Sequence, residues 1–283
     1  MGYLSRHWPT IVVALDRRYR SQAQPSGLIE ALLGAGHDPS VVDPATCTHN
    51  LSDAGWLGGA DLVVARGRTH AVLCVLAWAE RLGIPTINRR AAVVAVQDKA
   101  AMGLALAGHG IPIPPTYLGA PRLLALDIPP AHYPLILKPV MGDNGRGLRL
   151  VHDPGELSRL PWSEPMALAQ PYLPGDGFDL KLYGIGDQVW AVRKPAPRLE
   201  GLHPADRGVA SAGPVPVSDE LRRLALGCAG VFGLELYGVD CLPTSTGHVV
   251  IEVNDFPNYT GVPGADQHLA DHLARRARER RAA

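Results

Sequence analysis

The chain has 283 residues, and its 27 Lys and Arg are matched by 27 Asp and Glu. That length exceeds one ordinary domain and predicts two or three modules around a substantial buried core, which suits an enzyme better than an adaptor. Balanced charge supplies no long-range field for nucleic acid or for an anionic membrane, so the expected partners are small molecules. The longest apolar stretches, Ile11 to Leu15 and Val72 to Ala79, are far shorter than a membrane span, and no signal-peptide pattern opens the chain, so a cytoplasmic protein is expected. Cys47, Cys74, Cys228 and Cys241 are scattered without a CxxC pair, which argues against a zinc knuckle or a redox dithiol.

Strand and helix signals alternate at the start. Thr10 to Leu15 is β-rich, Gly27 to Gly34 has helical spacing, and Ser40 to Asp43 and Ala60 to Ala65 read as two further strands. This alternation predicts a small parallel sheet in an N-terminal α/β module over residues 1–92. A helix from His70 to Leu82 should stop at Gly83, with Pro85 beyond it. Another is expected around Lys99 to Ala107, ended by Gly108 and Gly110, before the proline-rich Ile111 to Pro115 forces an extended connection.

Chemistry begins at Tyr133 to Val140, followed by the glycine-rich Met141 to Gly147 and the short run Leu148 to Val151. Strand, glycine turn, strand, with Lys138 ending the first strand, suits a lid over polyphosphate: glycines let backbone N–H groups approach oxygens and the lysine adds a point charge. An ordinary hairpin connection has the same appearance. The runs Tyr237 to Leu242 and His248 to Asn254, joined by polar turn residues, predict an antiparallel hairpin. Glu252 and Asn254 then share a face, and a turn centred near Ser245 or Thr246 brings Asp240 roughly opposite Glu252. Three hard oxygen ligands on one patch suit Mg²⁺ held jointly with phosphates, although a half-exposed sheet would also accommodate them.

The order of these parts resembles the ATP-grasp superfamily, nearest to its RimK-like carboxylate–amine ligase branch, over about residues 92–264. The resemblance implies an α/β (α+β) ATP-grasp fold behind the N-terminal module, spanning residues 93–283. Within it a small lid subdomain covers about 112–175 and a C-terminal subdomain with the metal ligands covers about 176–283. It implies that Lys99 and Lys138 contact phosphate, that Gly142, Asn144, Gly145 and Gly147 belong to the closing loop, and that Gln170, Pro171, Tyr172 and Leu173 form the adenine hinge. Asp179 falls at a ribose-contacting position, Arg193 and Lys194 resemble a basic pair facing the γ-phosphate and acceptor, and Asp240, Glu252 and Asn254 match the magnesium triad. Lys181 stands where the ligase branch often has an arginine, a point charge in place of a fork, so it too is expected at the catalytic centre.

The implied cofactors are ATP and two Mg²⁺ ions, with Mn²⁺ as an acceptable substitute. The implied reaction is ADP-producing amide formation from small-molecule carboxylate and amine substrates through an acyl phosphate; a homo-oligomer is compatible with it. The stretch Asn254 to Pro263 also resembles inositol-phosphate kinases of the same fold, which keeps a polyol kinase as the alternative. Arg17, Arg18, Arg20, Arg66 and Arg68 follow strands at the ends where α/β sheets bind ligands, and are candidates to grip an acidic substrate or to be plain surface arginines. Arg198, His203 and Arg207 suggest a substrate loop. His268 and His272, four apart on a helix, could pair on a metal, but without a third ligand they are expected to be exposed histidines.

Overall fold

In the computed structural model, which describes residues 9–53, 55–142, 145–196 and 212–282, the first module is built on a four-stranded sheet. Strands β1 (Ile11–Leu15), β2 (Ser40–Val42), β3 (Leu62–Arg66) and β4 (Thr86–Ile87) pair in parallel in the order β2-β1-β3-β4. Both central strands are buried at every position, as strands covered on both faces must be. Helices α1 (Ala23–Gly34) and α2 (His70–Arg81) provide the crossovers. Thr69 caps α2 by accepting from the Val72 N–H, and the left-handed Gly83 turns the chain away beyond its last residues.

Helices α3 (Arg90–Gln97) and α4 (Lys99–Gly108) lead into the second module. The Asp98 carboxylate accepts the N–H groups of Ala100 and Ala101, which starts α4 and fixes Lys99 at its first position. An antiparallel sheet follows, ordered β5-β8-β6-β7, from β5 (Tyr117–Gly119), β6 (Leu135–Lys138), β7 (Arg149–Val151) and β8 (Ala167–Pro171). Helices α5 (Pro121–Asp127) and α6 (Pro154–Arg159) cover it through Leu124, Ile128, Leu135, Leu137 and Leu157.

The third sheet is antiparallel and ordered β11-β10-β9-β12-β13, comprising β9 (Phe178–Ile185), β10 (Gln188–Pro195), β11 (Gly213–Val215), β12 (Leu236–Thr244) and β13 (Gly247–Asp255). Helix α7 (Asp219–Phe232), capped by Ser218 and ended by the left-handed Gly233, lays Leu221, Leu224, Ala225 and Cys228 against Leu182, Val239 and Cys241 on the back of this sheet. Helix α8 (Ala265–Ala282) returns to the first module. Its Leu269 and Leu273 share one buried cluster with Leu28 and Leu32 of α1, Ile11 and Val13 of β1, and Ile185 and Leu236 of the third sheet. The first and third sheets are therefore fused through a common core. No helix among the described residues is long and apolar enough to cross a membrane.

Candidate active site

The front face of the third sheet owes its chemistry to one irregularity. From the turn, β12 and β13 pair as Thr244 with Gly247, Leu242 with Val249 and Cys241 with Val250. Continued regularly, that ladder would set Asp240 against Ile251 and turn Glu252 and Asn254 to the opposite face. A bulge at this point passes over Ile251, so that Asp240 pairs with Glu252 and Gly238 with Asn254. All three oxygen-bearing side chains then share one side with Asp179, Lys181 and Tyr183 of β9, which pair in register alongside.

A cavity of about 900 Å³ opens over this face, floored by the third sheet and flanked by the second sheet, the glycine loop and the first module. Seven basic and four acidic side chains line it, an excess suited to a polyanionic ligand. Each member of the triad already faces a cation of the chain. The Lys181 Nζ lies 2.6 Å from the Asp240 Oδ2, the Lys99 Nζ 3.2 Å from the Glu252 Oε1, and the Arg68 Nη2 donates to the Asn254 Oδ1 at 3.2 Å. Positive charge at all three oxygens is what a hard divalent ion would supply, so the donor set fits magnesium. Among the described residues no three His, Cys, Asp or Glu side chains form a group that could hold a metal.

Burial sets the electrostatics. It pushes the carboxyl groups of Asp240 and Asp179 above the usual carboxylate range, opposed by the neighbouring Lys181 ammonium. Lys138 is lowered to about 8 by its desolvated seat, with the Glu252 carboxylate acting in the other direction. Its ammonium donates to the Gln170 Oε1, while the Gln170 Nε2 donates to the Thr116 hydroxyl at 2.8 Å. Lys194 donates to the Tyr183 hydroxyl at 2.6 Å and is itself lowered, first by burial and then by Lys181. The Lys99 ammonium also donates to the Gly142 carbonyl, tying the glycine loop to Glu252.

The residues expected from sequence are distributed unevenly. Lys99, Lys138, Gly142, Gly145, Gln170, Pro171, Tyr172, Leu173, Asp179, Lys181, Lys194, Asp240, Glu252 and Asn254 all line the cavity. Gly147 does not, but supports it: its φ of +77° and its approach to Pro139, 2.8 Å from where a Cβ would sit, form the loop's turn. Asn144, Arg198, His203 and Arg207 lie outside the described residues. Arg193 is placed away from the cavity. Neighbours on a strand point to opposite faces, so only one of Arg193 and Lys194 can enter; Arg193 pairs with Asp176 and stacks on the Phe178 ring at 4.2 Å.

Of the five arginines flagged after strands, only Arg66 and Arg68 reach the cavity. His268 stacks on Trp190, and His272, against the expected exposure, is buried beside Gly186 where it bonds Glu235. The sequence reading missed Tyr183, Gln22 and Asn258. The period-2 spacing of Tyr183 from Lys181 was the available signal for the first; the other two carry none.

A family model described as the RimK-like ATP-grasp domain matches residues 96–275. The chain belongs to the RimK-like ATP-grasp family. A Stenotrophomonas maltophilia (strain K279a) protein called "Probable alpha-L-glutamate ligase" is 28% identical over 278 residues, covering 89% of this chain and 93% of its own. Among solved structures, the RimK domain ATP-grasp protein of Sphaerobacter thermophilus superposes with a TM-score of 0.72 at 22% identity, covering 94% of this chain and 98% of that one. The ATP-grasp ligase PsnB, complexed with minimal precursor, Mg and ADP, gives 0.71 at 21% identity, covering 94% and 97%. The RimK-like ATP-grasp protein described here is an ATP-dependent carboxylate–amine ligase, and the kinase alternative is not favoured.

Proposed function

We propose that this ligase joins an amino acid of the glutamate type to a carboxylate acceptor through an acyl phosphate, at the centre formed by Asp240, Glu252, Asn254, Lys181 and Lys194. The observation that carries this reading is the single face on which three oxygen ligands and two lysines meet, next to the Lys138 and glycine-loop end of the same cavity. The first relative's name supplies the amino-acid class. Bound magnesium would be held by Asp240, Glu252 and Asn254 and would offset phosphate charge that repels an anionic nucleophile.

The chain's own groups do the rest. Lys138, Lys99 and the loop glycines receive the triphosphate, and Asp179 is placed for a ribose hydroxyl. The Tyr172 N–H is bound to the Pro134 carbonyl at 2.8 Å, which leaves the Leu173 N–H to meet the adenine edge. An acceptor carboxylate oxygen attacks the γ-phosphorus and ADP departs. The amine nitrogen then attacks the acyl carbon, phosphate departs, and the nitrogen releases a proton. Lys181 and Lys194 stabilise charge on the transferred group, so no side-chain nucleophile is required. The glycine loop, tethered through Lys99, excludes water from the mixed anhydride.

ADP release should require a carboxylate and an amine together, and hydroxylamine added in place of the amine should trap a hydroxamate. Glu252→Gln and Asp240→Asn should lower turnover at least about a hundredfold, because metal-derived charge stabilisation amounts to several kcal/mol. ADP release with an alcohol alone, giving a phosphoester and no amide, would overturn the ligase chemistry. Full turnover in both carboxamide variants would remove the metal assignment.

A further inference from the structure

At the end of the cavity away from the hinge, the first module meets the segment that follows β13. Arg66, at the end of β3, is buried there between two aromatic rings, 4.2 Å from the Tyr19 centroid and 5.5 Å from that of Phe256. All three of its guanidinium nitrogens are engaged. It donates to the Phe256 and Gln24 carbonyls, and one nitrogen, Nη2, serves two carboxamides: the Gln22 Oε1 at 3.1 Å and the Asn258 Oδ1 at 3.2 Å. A guanidinium can only donate, so both amides must turn their oxygens to it. That fixes their orientation without appeal to an assigned flip.

The consequence lies in what remains. With both oxygens occupied, the Gln22 Nε2 and Asn258 Nδ2 are left as donors, and neither makes a hydrogen bond to any described residue. Both residues line the cavity, and their oxygens converge on one guanidinium nitrogen. Thr260, also on the wall, adds a hydroxyl without a described partner. Asp255, a carboxylate that lines the cavity, is taken by Arg68 at 2.7 Å. What faces the substrate is a paired set of donors with the anion-repelling group neutralised, which matches the two oxygens of a carboxylate.

We propose that Gln22 and Asn258, oriented by Arg66, form an anchoring subsite for a non-reacting carboxylate on the amino-acid substrate. The proposal rests on the ligase reading above and adds to it where the substrate is gripped and by what group. Arg66 is a positioning residue in this scheme: it touches the two carboxamides and not the substrate. The subsite is composite, with Gln22 supplied by the first module and Asn258 by the far end of the ATP-grasp region, so it exists only because the two are fused.

Asn258→Asp and Gln22→Glu test it, since each keeps an oxygen for Arg66 while replacing the donor with a negative charge. ADP release with ATP and Mg²⁺ would be measured across the L-amino acids and their α-carboxamides, each with a carboxylate acceptor panel. Wild type should use the acid in preference to the amide. In each variant the KM for the acid should rise about tenfold or more, as for the loss of a charge-assisted hydrogen bond, while the KM for ATP and the melting temperature hold and the preference shifts toward the α-carboxamide. Unchanged acid KM values in folded variants would overturn the subsite and leave Arg66 as a staple between modules. Wild type inactive with every amino acid would instead fail the ligase reading, and the subsite with it.

Discussion

Lys138 shows how a single burial decides both affinity and its pH dependence. A lysine lowered to about 8 binds fewer protons in the folded chain than in the unfolded one at pH values between about 8 and the ordinary lysine value of 10.5. The native state therefore gains stability as pH rises through that window, and below it the cost of burying the charge is fully present. Phosphate brought beside the ammonium restores the proton. Calorimetric titration of ATP at pH 8 in buffers of different ionisation enthalpy should show proton uptake that disappears at pH 6.5 and in Lys138→Met, with ATP affinity weakened about tenfold or more in the variant by loss of the charged contact. Equal uptake in wild type and variant would assign the proton elsewhere. The companion contrast is Arg193 and Lys194. Lys194→Ala should reduce kcat, whereas Arg193→Ala, which loses an exposed pair with Asp176 and a ring contact, should leave kcat alone and shift stability by about 1 kcal/mol or less. Steady-state rates and melting curves of the two variants separate these effects.

At the level of elements, the strands and caps were largely legible because local chemistry dictated them. Ser40 to Val42, the helix starting at His70 and the Tyr237 to Asn254 hairpin all form where periodicity and turn residues place them. What sequence could not show is side-chain direction across an irregular ladder or between adjacent strand residues. It therefore paired Arg193 with Lys194 as if both faced the substrate. Contacts between modules, such as Arg66 with Asn258, 192 residues apart, leave no local pattern at all, and neither does the contact of Arg66 with Gln22, 44 residues away within the first module. The glycine loop supplies a further test. Gly147 combines a φ of +77° with a close approach to Pro139, so Gly147→Ala is strained on both counts, by about 1–2 kcal/mol from the backbone alone. Its cost should appear as a higher KM for ATP, with little change in melting temperature because the loop carries no core side chain. A large fall in melting temperature at unchanged KM would show that the turn serves folding and not closure.

Over the whole molecule, the cluster that joins α8 to α1 makes the first sheet dependent on the last helix. Leu273 is fully buried in that cluster, so Leu273→Ala should cost about 2–5 kcal/mol. Because Gln22 and Arg66 belong to the element set it supports, a partial loosening should weaken use of the amino-acid substrate before nucleotide binding. Denaturation curves paired with KM values for both substrates would reveal that order; a parallel rise in both would mean the modules unfold as one.

The bulge beyond Asp240 carries a last implication, about robustness. Ironing it out by a one-residue slip would pair Val239 with Glu252, turning that carboxylate into the apolar layer that Val239 shares with Leu221, Leu224 and Cys228. Such a mispaired hairpin would be penalised by the interior long before its lost activity mattered. Alignment of the three side chains proposed to hold magnesium is thus inherited from the packing behind them. Selection for a stable interior guards the geometry of the reaction without acting on the reaction, and inactive descendants of this chain should arise by replacing the triad's side chains while the strand pairing beneath them persists.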